Sequence, residues 1–113
     1  MSNKKLFNLL KLSESPYILA PMFQVNDLAF RLMCREHHIN ICYTGMINSH
    51  MWVFNKNERP KMFETGDKDR PLVIQLNGND EKEFIECAKD VEKYADAIDI
   101  NLGCTQRIAK RGR

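Results

Sequence analysis

Cys104 ends the run Asp99-Ile100-Asn101-Leu102-Gly103-Cys104 and leads into Thr105-Gln106-Arg107-Ile108-Ala109-Lys110-Arg111-Gly112. A thiol just past a glycine, where a strand should end and a basic loop begin, lies at the carboxyl edge of a sheet and can face a bound ligand. A cysteine within a strand is more often inert packing, and Cys34, Cys42 and Cys87 are assigned to packing. Asn101 and Gln75 each carry an amide that both donates and accepts. Taken alone, Asn101 reads as a turn or cap residue, and Gln75 reads equally as a strand residue satisfied by backbone or as a ligand contact. Arg107, Lys110, Arg111 and Arg113 crowd the last residues, a cluster that suits either phosphate contact or a solvated loop. Cys34, His37, His38 and Cys42 are zinc-ligand types. They would straddle a helix end and a buried strand, and no second Cys-x-x-Cys pair completes a tetrahedral set, so no metal is expected.

These groups need elements to position them. Tyr17-Ile18-Leu19-Ala20 is a short apolar run ended by Pro21, which suits a strand end. Asn26 and Asp27 are N-cap types, and the apolar positions from Leu28 to Cys34 predict a helix reaching His37-His38. Ile39–Tyr43 predicts a second strand with Gly45 at its exit, and the segment 46–69 shows no clear element. Leu72–Leu76 predicts a third strand, followed by the turn and cap residues Asn77-Gly78-Asn79-Asp80. Phe84, Ala88 and Val91 at i, i+4 and i+7 predict an amphipathic helix, and Ala97–Leu102 a fourth strand. Alternating strands and helices imply an α/β fold with a parallel sheet.

The 113 residues are 43% hydrophobic and 28% charged, ordinary for one globular domain. No run approaches the roughly 20 apolar residues that span a bilayer. The apolar start of the chain is broken by Asn8 and Lys11, which argues against a secretory signal. Four irregularly spaced cysteines do not resemble a secreted disulfide scaffold, so the expectation is reduced thiols in the cytosol or nucleus. A net charge of +2 is too small to identify a nucleic-acid binder.

The segment Asn101-Leu102-Gly103-Cys104 with Ala109-Lys110-Arg111-Gly112 resembles the active-site segment of the flavin-dependent tRNA-dihydrouridine synthases, closest to the eukaryotic D-loop (16/17) type. The resemblance extends, in the family's order, to Ala20-Pro21-Met22, to Cys42-Tyr43-Thr44-Gly45-Met46 and to Arg70–Leu76. It implies a (β/α)8 TIM barrel, of which 113 residues would supply about the first four units, since such a barrel needs roughly 200 or more. On this reading residues 1–16 are a lead-in, and 17–113 are the N-terminal half of the synthase domain.

The implied reaction is FMN-dependent reduction of uridine to 5,6-dihydrouridine in tRNA, with NADPH or NADH as reductant. Reduced flavin gives hydride to C6 and Cys104 gives the proton to C5, a role that suits a thiol whose ordinary pKa of about 8.5 keeps it protonated. By the same resemblance Pro21, Met22, Phe23 and Gln75 contact the flavin, Asn101 holds the uracil edge, and Arg107, Lys110 and Arg111 meet the tRNA backbone. Trp52 and Phe54, in the loop after the second strand, are expected to pack over the barrel end, with contact to substrate as the alternative. Two departures stand out. Thr105 replaces the family's proline, and the sequence ends in the loop that should lead to the barrel's second half, where the flavin phosphate is held. The isolated chain is therefore expected to bind FMN weakly and to have little or no activity of its own, and its open sheet edges to favour self-association. The alternative reading is a non-catalytic fragment that binds RNA or a partner chain.

Overall fold

The computed structural model describes residues 15–104, and these form a parallel sheet with helices on one face. Its strands are β1 (Ile18–Leu19), β2 (Ile41–Tyr43), β3 (Ile47–Asn48), β4 (Leu72–Asn77) and β5 (Ala97–Ile100). The helices are α1 (Leu28–Glu36), α2 (Ser49–Phe54), α3 (Arg59–Met62) and α4 (Glu81–Val91). Short 3-10 turns cover Lys56–Glu58 and Glu92–Tyr94. Asp27 caps α1 by accepting from Phe30 N at 2.8 Å, and Asp80 caps α4 by accepting from Glu83 N at 3.0 Å.

β2 and β3 both run along one edge of β4, while β5 takes the other. Cys42 faces Leu72, thirty residues on, whereas Ile47 faces Leu76, twenty-nine on. The two short strands are thus one strand interrupted by a single extra residue, as in a β-bulge. Thr44 repairs the interruption. Its backbone N–H donates to Val73 O at 3.0 Å, and its hydroxyl accepts from Gln75 N at 3.1 Å where a ladder carbonyl is missing.

The segment 46–69, of uncertain structure from sequence, holds β3, α2 and α3. Two strand residues show no alternation, and α2 starts at once from the Asn48 cap, so periodicity gave no signal. The expected placement of Trp52 and Phe54 over the barrel end is corrected. Trp52 is buried on the helix side with its indole N–H 3.3 Å from Asp90 Oδ2, and Phe54 is exposed against His50. An indole needs a partner for its N–H, and the carboxylate on α4 supplies one.

Leu72, Ile74 and Leu76 face the helices and join Ile47, Trp52, Cys87 and Val91 in one core, so Val73, Gln75 and Asn77 face the opposite way. Below the helices lies a second, ionic core. Asp69 is fully buried, and its Oδ2 accepts from Arg31 Nη2 at 2.7 Å and Nε at 3.0 Å. Its Oδ1 accepts from Arg35 Nε and Nη2 at 3.2 and 3.1 Å. Spare donors reach backbone: Arg31 to Asn26 O at 2.6 Å and Glu64 O at 2.7 Å, and Arg35 to Pro71 O at 2.7 Å. The cluster joins α1, the loop before β4 and the turn after β1.

Two thiols on the helix side are inert packing, as expected. Cys42 donates to Arg31 O at 3.8 Å, and burial pushes its pKa up from 9.0, opposed by Arg35. Burial foremost, with Asp90 adding, pushes Cys87 up from 9.0 to about 12.

Removing the Asp69 carboxylate strands two guanidinium groups, one of them fully enclosed. Asp69→Ala should lower unfolding free energy by about 3–5 kcal/mol in urea titrations, against less than about 1 kcal/mol for the exposed Lys61→Ala. A raised thiol pKa means that the unfolded chain ionises first. The stabilisation tied to Cys87 is therefore complete below pH 9 and is lost as pH climbs toward 12. The urea midpoint of the chain should fall more steeply over that window than that of Cys87→Ala.

Candidate active site

The carboxyl ends of the strands carry a row of polar side chains on the face away from the helices. Register places Gln75 opposite Asp99, and alternation keeps Asn101 on the same face as Asp99. Gln75 Nε2 donates to Asp99 Oδ2 at 2.7 Å, and Asn101 Nδ2 donates to Gln75 Oε1 at 3.1 Å. Asn101 Oδ1 in turn accepts from Gly103 N at 3.0 Å, tying the residue before Cys104 to the row. A carboxylate can only accept, so Asp99 fixes which end of the Gln75 amide faces Asn101, and through it the Asn101 amide. The row has one sense.

Tyr43 borders it from β2. Its phenol is pushed above the ordinary value, by burial first and by the Asp99 carboxylate second. Cys104, half-buried, follows at the end of the described residues. Met46 links the row to β3, its sulfur 3.7 Å from Asn101 Nδ2.

The β1–α1 turn forms the neighbouring wall. Met22 O accepts from Val25 N at 3.3 Å and from Asn26 N at 3.2 Å, and Gln24 takes a positive φ of 61°. Gly45 lies against this turn. A Cβ there would stand 3.0 Å from Met22 O and 3.2 Å from Phe23 Cα, so only glycine lets the two loops meet without a shift. Asn26, read as a cap type, does another job: its Nδ2 donates to Ala20 O at 2.7 Å and to Tyr43 O at 2.9 Å, pinning the ends of β1 and β2 together.

Of the residues singled out in the sequence, Gln75 and Asn101 are in direct contact, and Asn101 is joined to Cys104 through Gly103. Pro21, Met22 and Phe23 stand on the adjacent turn, joined to the row through Gly45 and Met46. Arg107, Lys110 and Arg111 lie outside the described residues. The zinc-type set does not converge, with Cys42 buried beneath α1 and His37 and His38 exposed, and no group of three or more metal-binding side chains occurs among the described residues. Asp99, Thr44 and Asn26 were missed. The alternation of Asp99 and Asn101 with Ile98 and Ile100 was the one signal that could have revealed Asp99.

Gln75 keeps one amide hydrogen and one carbonyl lone pair beyond its two bonds, a donor and acceptor side by side. Polar groups converging at the carboxyl ends of a parallel sheet define the class: an α/β protein with its ligand site at the strand ends. Residues 18–113 match the family model described as dihydrouridine synthase (Dus). The chain belongs to that family, whose fold is the TIM barrel, and its partial sheet carries the barrel's first strands.

Named relatives agree. A tRNA-dihydrouridine(16/17) synthase-like protein of Rattus norvegicus is 41% identical over 99 residues, 86% of this chain and 23% of the relative. The tRNA-dihydrouridine(16/17) synthase of Schizosaccharomyces pombe is 38% identical over 105 residues, 91% of this chain and 26% of the relative. A tRNA-dihydrouridine(20a/20b) synthase-like protein of Homo sapiens is 39% identical over 92 residues, 81% of this chain and 29% of the relative. The chain spans about a quarter of the length of these relatives.

Asp99→Ala should free the Gln75 amide and cost about 1–3 kcal/mol through a buried donor left without its acceptor. In ¹⁵N spectra the Gln75 and Asn101 side-chain amides should both shift and exchange faster. Unchanged amide signals would show that Asp99 does not orient the row.

Proposed function

We propose that the chain carries the catalytic end of an FMN-dependent synthase that reduces uridine to 5,6-dihydrouridine in the D-loop of tRNA, with NADPH or NADH as electron source. The observation that carries this reading is the oriented row Asp99–Gln75–Asn101 ending beside Cys104, in a chain whose relatives bear the synthase name. The residues around the row fit a flavin. Gln75 offers its remaining donor and acceptor to the polar edge, and the Pro21-Met22-Phe23 turn lines the approach. FMN, when bound, supplies the hydride.

The chain's own groups do the rest. Asn101, fixed by Gln75, holds the uracil edge, and the Gly103 tether sets where Cys104 stands. Cys104 delivers a proton to C5 as negative charge develops on the ring. Arg107, Lys110 and Arg111 are proposed to hold the tRNA backbone, which must release the target base from its stack. The irregular spacing of the four cysteines, unlike that of a disulfide scaffold, supports placement in a reducing compartment, cytosol or nucleus.

One observation supports the second reading, a partner-binding chain. Among the described residues β1 pairs only with β2 and β5 only with β4, and Ile18, Ile100 and Leu102 are exposed on or beside these outer strands. Such edges accept another strand, from a second copy or from a partner.

The test is anaerobic incubation of the chain with FMN, NADPH and an unmodified tRNA transcript, with dihydrouridine counted by mass spectrometry. Cys104→Ala should reduce product by at least about 100-fold, the weight of a positioned acid, while flavin absorbance and tRNA binding stay unchanged. Equal product from Cys104→Ala would remove the thiol from the mechanism. No product from either, with a dimer on size exclusion, would favour the partner-binding reading.

A further inference from the structure

Nearer the mouth than the Gln75–Asp99 pair, the sheet carries a second polar rung, made of Asn48, Asn77 and Asn101. Asn48 is paired with Asn77 in register. Asn101 N donates to Leu76 O at 2.9 Å, which carries the β4–β5 register one residue further and sets Asn101 beside Asn77. Alternation keeps Asn77 on the face of Gln75, about 6.6 Å further along the strand, and neighbouring strands lie about 4.8 Å apart.

The middle amide has nothing to bond. Asn77 is 6% exposed, and neither its Oδ1 nor its Nδ2 has a hydrogen-bond partner among the described residues. Asn26 Oδ1 and Ser49 Oγ also lack partners but are sealed from solvent, whereas the Asn77 amide is not. Asn77 lines a cavity of about 450 Å3 between the β1–α1 turn and the segment from α2 to α3, and Met46 stands between that cavity and the polar row. Asn48, also in the wall, spends its Oδ1 on Met51 N at 2.9 Å and keeps both amide hydrogens.

These free groups define what must meet them. An amide buried without partners is unfavourable until a group both donates to its oxygen and accepts from its nitrogen. A phosphate only accepts and leaves Oδ1 empty, and an ammonium only donates and leaves Nδ2 empty. A hydroxyl does both. The level of the rung says whose hydroxyl it is. Gln75, one step deeper, is at the level given to the flavin, whereas Asn77 shares the level of Asn101, given to the uracil edge. With that edge at Asn101, the next group of a nucleotide that donates and accepts is the ribose 2′-hydroxyl, the one sugar hydroxyl left free within an RNA chain.

We propose that Asn77, backed by the Asn48 N–H groups, takes the 2′-hydroxyl of a ribose in the bound RNA and is a further substrate-binding residue. That hydroxyl is the group by which a protein tells RNA from DNA. The inference rests on the tRNA reading above. The target uridine and a flanking nucleotide offer the same hydroxyl, so the test separates the two sources.

The ¹⁵N-labelled chain is titrated with uridine 3′,5′-bisphosphate and with its 2′-deoxy form, which differ in that hydroxyl alone. The ribose form should shift the Asn77 side-chain amide, and the deoxy form should not. Affinity is then measured for an unmodified tRNA and for synthetic tRNAs carrying one 2′-deoxynucleotide at each D-loop position in turn. One such change should weaken binding by about five- to tenfold, the worth of one hydrogen bond. Asn77→Leu, which removes the amide at similar volume, should bind that tRNA and the unmodified one equally. Because nothing in the fold uses the amide, the urea midpoint of Asn77→Leu should hold or rise. Loss at a uridine supports contact with the target nucleotide, and loss at another base supports contact with a flanking one. A difference between the bisphosphates with no tRNA binding in any form would support the hydroxyl contact while overturning the tRNA reading. A deoxy loss that persists in Asn77→Leu, or a lowered midpoint, would overturn the assignment to Asn77. No effect of the hydroxyl in either assay would overturn the contact and leave water as the partner of the amide.

Discussion

Everything at the mouth of this sheet hangs from a carboxylate that never reaches it. Asp69 is enclosed with Arg31 and Arg35, and the two guanidinium groups use their spare donors on three carbonyls, one in the turn after β1 and two in the loop before β4. A buried ion pair is a poor source of net stability, because desolvation offsets most of the attraction. What it supplies here is placement. Arg31 grips Asn26 O, and the side chain of that same asparagine joins the ends of β1 and β2. The charged cluster thus fixes the height at which two strand ends, and the turns leaving them, enter the mouth.

The second constraint is the missing rung between β2 and β3. A regular strand would send every second side chain to the inner face with even spacing, leaving Gln75 N bonded to a carbonyl like any other. The extra residue breaks that spacing, and Thr44 takes over with its hydroxyl. This repair lets Gly45 fold against the Met22–Phe23 backbone and brings Met46 toward Asn101. Bulges near functional sites re-aim side chains, and here the re-aimed residue is the one that separates the polar row from the neighbouring cavity.

Much of the frame could be read along the chain because it is written in local signals. The apolar runs of β1, β2, β4 and β5 and the Asp27 and Asp80 caps each declare themselves within a few residues. Gln75, Asn101 and Cys104 came from a motif, and Gln75 and Asn101 stand in direct contact. What stayed hidden depends on partners far apart in sequence. Asp69 and Arg31 are both ordinary charged residues until the fold places them 2.7 Å apart. Asp99 needed the register of β5 on β4 before its link to Gln75 could be seen, since alternation alone names a face and not a neighbour. β3 is two residues long, too short for any periodicity, and Trp52 took its place from a partner, Asp90, on a helix 38 residues away in sequence.

The order of these dependencies bears on how the site works. Each member of the row is oriented by protein groups alone: Asp99 turns Gln75, Gln75 turns Asn101, and Asn101 holds the backbone before Cys104. A site so arranged does not need the substrate to organise it, and binding energy is not spent on turning amides into place. Asn26 differs in kind: its Nδ2 holds the ends of β1 and β2 together, and its backbone carbonyl is gripped by Arg31, so the strand ends beside the row are set by the ionic cluster and not by anything that enters the site.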